Sequence, residues 1–582
     1  MLRFALYART VRFLTGRQLF YRVVRRFQRQ LPPRHHPNFV ESSTNQARMA
    51  EAVAGWGSGN DAERIRVADS VCEGNFTFLN QTRSLHALDW RHRYVSHLWN
   101  YNLHYFAFGV DLAWAFRITG DGRYAKRFAE LASEWIDQTS AGEGDGWEPY
   151  PTSVRIINWS YALLLFGDRL PPGSRELIAN SVYDQVAFLR RRVEYDIQAN
   201  HLLKNFAALV IGSLMFAGTK PRRWGLWGAR HLWRELEKQV LPDGTHFELS
   251  PMYHAIAMGD FLESAQLLGA CGQTIPPEVA GSLQKMTDAS GILSRTNGKL
   301  HLFNDSALGI GPDLDHLDRL SVRTFGRPLG FPAGAFSLPA AGYYGLRDRQ
   351  SEDRILIDCG PPGPEFQPGH AHCDALSFEL DIDGLPVVVD SGVSGYGGDP
   401  LREYVRSTRA HNTVMIDGQE QSEVWDTFRV ARRISGIQAS QSLADGVYRF
   451  AGEYRPYHSR SVLHRRTIER HGKDWLVVDK VDGAGVGRLQ SFLHFDPAFT
   501  LSMNRGQVTA KSPSLEITID PIGADDVSLA RGASDPSQGW YCPEFGQVVP
   551  NGVLVLSRAD NKAALGYRLT AKRSRPAEQT VG

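Results

Sequence analysis

The run Ala375-Leu376-Ser377-Phe378-Glu379-Leu380-Asp381-Ile382-Asp383-Gly384-Leu385-Pro386-Val387-Val388-Val389 decides the fold of the second half of this 582-residue chain. Leu376, Phe378, Leu380 and Ile382 alternate with Ser377, Glu379 and Asp381, the period of a strand with one apolar face. Asp383-Gly384 follows, the pair that a two-residue hairpin turn favours because both of its residues need positive φ. Further strand-like runs occur at 354–357, 413–416, 475–481, 515–519 and 553–557. Many short strands separated by turns favour an antiparallel β-sandwich. Towards the N-terminus, 326–345 is rich in Gly, Pro and Ala and reads as a linker. Before it, apolar residues recur at helical spacing over 103–117, 124–138, 154–165, 175–192, 201–215 and 251–268, which predicts successive helices packed as antiparallel pairs. The expected organisation is multidomain α+β: a basic amphipathic segment 1–40, a helical domain 41–325, a linker 326–345 and an antiparallel β-sandwich 346–582.

Sixty-five Lys and Arg against 63 Asp and Glu leave a net charge of +2, so there is no overall electrostatic case for a nucleic-acid partner. Five scattered cysteines without a CxxC spacing indicate neither a disulfide scaffold nor a zinc ribbon. Residues 1–30 interleave Arg3, Arg9, Arg12, Arg17, Arg22, Arg25, Arg26 and Arg29 with apolar side chains. A secretory signal needs about 7–15 uninterrupted apolar residues, so a cytoplasmic or inner-membrane-associated place is expected over a secreted one. A basic amphipathic helix can touch a membrane surface peripherally or dock on the main body, and the segment fits both.

Three clusters could carry chemistry. Ala199-Asn200-His201-Leu202-Leu203-Lys204-Asn205 opens an apolar helix; its polar head can face a cleft, or Asn200 can be a helix cap. In His246-Phe247-Glu248-Leu249-Ser250-Pro251-Met252-Tyr253-His254, Ser250 as cap and Pro251 at the first helical position predict a sharp start with Tyr253 in the first turn. There the helix dipole favours a phenolate, unless Tyr253 is simply a half-buried core tyrosine. The densest cluster joins Gly369-His370-Ala371-His372-Cys373-Asp374, Val387-Val388-Val389-Asp390-Ser391-Gly392 and Arg409-Ala410-His411-Asn412-Thr413-Val414, with nitrogen and oxygen donors suited to zinc. A tight turn at Asp383-Gly384 puts Asp390 opposite Ser377, not His372, so a bend or bulge is required to gather them.

With Trp99-Asn100-Tyr101-Asn102-Leu103-His104-Tyr105, Ser153-Val154-Arg155-Ile156-Ile157-Asn158-Trp159 and Phe303-Asn304-Asp305-Ser306, these motifs fall in an order that resembles heparinase II/III-like proteins over about 95–430. The resemblance implies an incomplete (α/α) toroid followed by a β-sandwich, and lysis of uronate-containing polysaccharide in the groove between them. It further implies that Asn200 and His201 neutralise charge, that Tyr253 shuttles protons and that His370 is catalytic. His372, Asp390 and His411 would hold a structural zinc, with no organic cofactor. Arg155 resembles a substrate-side arginine and equally fits a salt bridge within the toroid, and Tyr101, Trp147 and Arg409 are further candidates for holding the acidic polymer. Two other readings stay open. A glycoside hydrolase on a toroid needs two flanking carboxyl groups, for which Glu148, Glu248 and Asp305 offer no persuasive pair. A non-catalytic polysaccharide-binding protein of surface polysaccharide assembly would suit the basic N-terminus.

Overall fold

The computed structural model describes residues 2–28 and 40–573; Arg29 and the rest of 29–39 lie outside the described residues. Helices dominate from Ser43 to Phe325, and the chain is almost wholly strands from Gly334 onward. The helical half is an incomplete (α/α) toroid whose single apolar core runs from Met49 to Leu329. Its long helices include Pro149–Phe166, Ser174–Leu189, Ala199–Leu214, Thr219–Gln239 and Pro251–Ala270. The expected helix 103–117 is two helices, His97–Tyr105 and Ala107–Thr119, divided at Phe106, which takes a left-handed conformation.

The sandwich stacks a five-stranded, an eight-stranded and a four-stranded antiparallel sheet. The anticipated hairpin pairs Phe378–Ile382 with Leu385–Val388. Asp383 and Gly384 both have positive φ, as its turn requires, and Ile382 lies opposite Leu385, with the register slipping once at Leu380/Asp381. The segment 326–345 is not a linker. Gly334–Leu338 and Tyr343–Arg347 are the first two strands of the five-stranded sheet, their apolar residues being buried on both of its faces.

That sheet is covered on both sides. Leu346, Ile355, Ile357, Phe378, Leu380 and Ile382 join the sandwich core, whereas Phe336, Leu338, Tyr343 and Leu356 pack on Leu249, Ile292 and Phe303 of the toroid. The polar face of the deciding hairpin is therefore not solvated: Ser377, Glu379 and Asp381 are all buried. Glu379 pairs with Arg295 at 2.7 Å and with His301, and Asp381 pairs with Arg295 and accepts from Thr296 Oγ1 at 2.8 Å. Charges taken out of water in this way persist only when each is paired and hydrogen-bonded. The interface thus joins the toroid to the sandwich through buried, paired charges.

Two N-terminal helices, Leu2–Val11 and Gly16–Gln28, lie across both halves. Arg9 reaches Glu423 at 2.7 Å and Tyr7 meets the Trp425 ring edge-on, while Arg25 pairs with Asp196 at 2.9 Å.

Candidate active site

A groove of about 1320 Å³ opens between the toroid and the sandwich loops, and Asn200, His201, Glu248, Tyr253, His370 and Tyr396 all line it. Ser250 accepts from the backbone N–H of Tyr253 at 3.2 Å and Pro251 opens the helix, so the start anticipated from Ser250-Pro251 places Tyr253 in the first turn. Its ring stacks on His370 with centroids 3.9 Å apart, and its hydroxyl lies 2.8 Å from that of Tyr396. Burial, then Tyr396 and the nearby carboxylates, push the Tyr253 phenol well above the usual tyrosine range. The phenolate expected from the helix dipole is thereby corrected: loss of hydration outweighs the dipole, and the free protein presents a phenol.

Asn200 is not a cap. Gln198 holds that position, and the Asn200 amide donates to both oxygens of Glu248 at 3.1 and 3.0 Å. Burial raises the Glu248 carboxyl above its ordinary range. At the next position of the same helix head, His201 Nδ1 lies 3.2 Å from Glu194 and its ring faces Tyr150. Burial disfavours a charged ring, but Glu194 outweighs it and lifts His201 above the ordinary imidazole range.

Where the toroid meets the sandwich loops, Asp305 is a hub. Its oxygens meet His370 Nδ1 at 3.0 Å, His372 Nε2 at 2.9 Å and both terminal nitrogens of Arg402. Burial would raise this carboxyl, yet Arg402 and the two histidines hold it well below the usual carboxylate range. His370 Nε2 points to Glu248 at 3.7 Å. His372 turns the other way: its Nδ1 and Nε2 of His411 are buried without a hydrogen-bond partner, and donor atoms of His372, Asp374 and His411 lie within 4.8 Å of one another. Two orphaned imidazole nitrogens beside a carboxylate fit a metal ion. Asp390 sits behind His411, accepting from Nδ1 at 2.7 Å, the usual place of a carboxylate that orients a ligating histidine.

Residues 30–311 match the family model for the heparinase II/III N-terminus, and 332–567 match the heparinase II/III-like C-terminal model. The chain belongs to the heparinase II/III-like family of polysaccharide lyases. It is 26% identical to a heparin-sulfate lyase of Pedobacter heparinus over 74% of this chain and 67% of that protein. A heparin-sulfate lyase of Bacteroides thetaiotaomicron is 25% identical over 54% of this chain and 51% of its own length. Among solved structures, a heparinase III superposes with a TM-score of 0.72 at 18% identity, covering 96% of this chain and 90% of that one.

Within this heparinase II/III-like site, not every anticipated residue reaches the groove. Tyr101 lines it, donating to Glu148 at 2.6 Å. Arg155 does not: it is wholly buried, stacked over Trp135 and donating to Gln185 and to the carbonyls of His104 and Gly146. Trp147 is core, bonded to Thr139, and Arg409 is half-buried away from the groove lining. Conversely, Glu194, Tyr396 and Arg402 carry no expectation from sequence, and Glu248 and Asp305 were weighed only as hydrolase carboxyls. A signal existed for Arg402: Asp399-Pro400 caps and opens the helix Pro400–Arg406, just as Ser250-Pro251 does for Tyr253.

Proposed function

We propose that the protein cleaves a uronate-containing, glycosaminoglycan-like polysaccharide by β-elimination. The observation that carries this is the convergence, in one groove, of Asn200, His201 and Tyr253 from the toroid with His370 from the sandwich. The C5 proton of a uronate leaves only when charge building on its carboxylate is stabilised. Asn200 and His201 are donors on one wall of the groove, suited to that enolate-like oxygen, with Glu248 accepting from the Asn200 amide beside them. The phenol of Tyr253, between His370 and Tyr396, is placed to protonate the departing O4. Where the C5 proton and O4 share a face, Tyr253 first loses its own phenolic proton to water, then as phenolate takes the C5 proton and passes it to O4; for the other epimer a neutral His201 or His370 takes the C5 proton while the Tyr253 hydroxyl protonates O4. The product carries a 4,5-unsaturated uronate at its new end.

His372 and His411, with Asp374 as the third ligand and Asp390 behind His411, would hold a zinc ion that ties the sandwich loops together beside the groove. Stoichiometric zinc in the purified protein tests that assignment. The reaction itself is tested by incubating the protein with a panel of acidic polysaccharides and following the ultraviolet absorbance of the conjugated double bond. Growth of that absorbance on at least one polymer is expected. Chain shortening without it would identify a hydrolase instead, and binding without shortening would identify a non-catalytic protein.

A further inference from the structure

The two N-terminal helices leave part of their apolar surface outside. Their inward contacts join ion pairs and hydrogen bonds, Arg9 to Glu423, Gln18 to the Phe366 carbonyl, and Arg25 to Asp196 and Glu194, with the rings of Tyr7 on Trp425 and Tyr21 on Tyr195. Leu6, Phe13, Leu14 and Val24 are half-buried, but a second set of apolar residues points out. Phe4 is 80% exposed, Phe20 61% and Val23 58%, with Val11 and Leu19 also exposed. Spaced at 4 and 11, then at 19, 20 and 23, these residues form one stripe along each helix. Arg3, Arg12, Arg22 and Arg26 are exposed beside the stripes, and no Asp or Glu precedes Glu41.

We propose that this outward face is a docking surface for an anionic lipid bilayer. A soluble polyanion would use the arginines and leave the apolar stripes in water, at a standing cost in hydration. A bilayer meets both: phenyl and aliphatic groups pass below the headgroups while guanidinium groups stay at the phosphates. Attachment is peripheral, because no helix among the described residues is long and apolar enough to cross a membrane. The surface is separate from the groove and does not depend on which polymer is cleaved there.

The full chain, sedimented with vesicles of phosphatidylcholine alone or mixed with phosphatidylglycerol, tests this. Binding to the mixed vesicles only is expected. Phe20→Ser with Val23→Ser, and separately Arg22→Glu with Arg26→Glu, should each weaken it about tenfold or more, with cleavage of soluble polysaccharide unchanged. No sedimentation with mixed vesicles overturns the proposal. So does binding that depends on the arginines but not on Phe20 and Val23, since the face would then be a site for soluble polyanions.

Discussion

His370 and His372 stand two residues apart and share one carboxylate, Asp305, yet they occupy different worlds. The His370 side chain keeps 12% of its surface open, lies on Tyr253 and faces the groove. His372 is sealed, and burial pushes its imidazole down to about 3. The difference teaches that residue type alone did not assign the work. Asp305, kept charged by Arg402, orients both rings, and what lies on the far side of each ring, open groove or closed pocket, decides what it can do. Substitutions on the open side should change turnover and spare the fold, and those on the closed side should do the reverse.

The largest effect is expected from Tyr253→Phe. Loss of one acid-base group costs about 10² to 10⁴-fold in rate, so kcat should fall by that amount while the melting temperature holds. A variant that keeps most of its turnover would take Tyr253 out of the chemistry and leave the open side without its proton carrier. His372→Ala should instead empty the proposed zinc site and leave Asp305 short of one buried partner, costing about 1–3 kcal/mol of stability. Metal content and the melting curve are the measurements; a full loss of kcat with metal retained would erase the distinction between the two histidines. Smallest is Glu194→Gln. The groups facing His201 are Glu194, Glu248, Arg25 and the Tyr150 ring. Because its pKa is raised, the charged form is held at low pH and lost as pH rises through that value. Removing Glu194 lowers the pKa, so the alkaline limb of the pH–rate profile should move to lower pH. A limb that stays in place would show that His201 does not act as a cation.

The two halves, the hairpin turn and the start of the Tyr253 helix were legible because each follows from local spacing: periods of 3.6 and 2, Asp383-Gly384, and Ser250-Pro251. Asn200, His201, Tyr253 and His370 were reached through motif order, and the structure does bring them to one groove. What spacing could not give is what covers a face. Ser377, Glu379 and Asp381 read as the polar face of a strand and are domain interface, and Arg155, which reads as a substrate-side arginine or a toroid salt bridge, is packed on Trp135. Asp305 was visible as a residue but not as a hub, since its partners at 370, 372 and 402 meet it only in the folded chain.

The ionic layer under the deciding hairpin also bears on how such a protein can be inherited or recombined. Arg295 and His301 belong to the toroid, and their partners Glu379 and Asp381 to the sandwich. A toroid grafted onto a foreign sandwich would carry a buried guanidinium with no carboxylate to meet it, a defect of about 3–5 kcal/mol. The two halves therefore travel as one unit, and a crossover that separates them must bring a matching pair of charges with it.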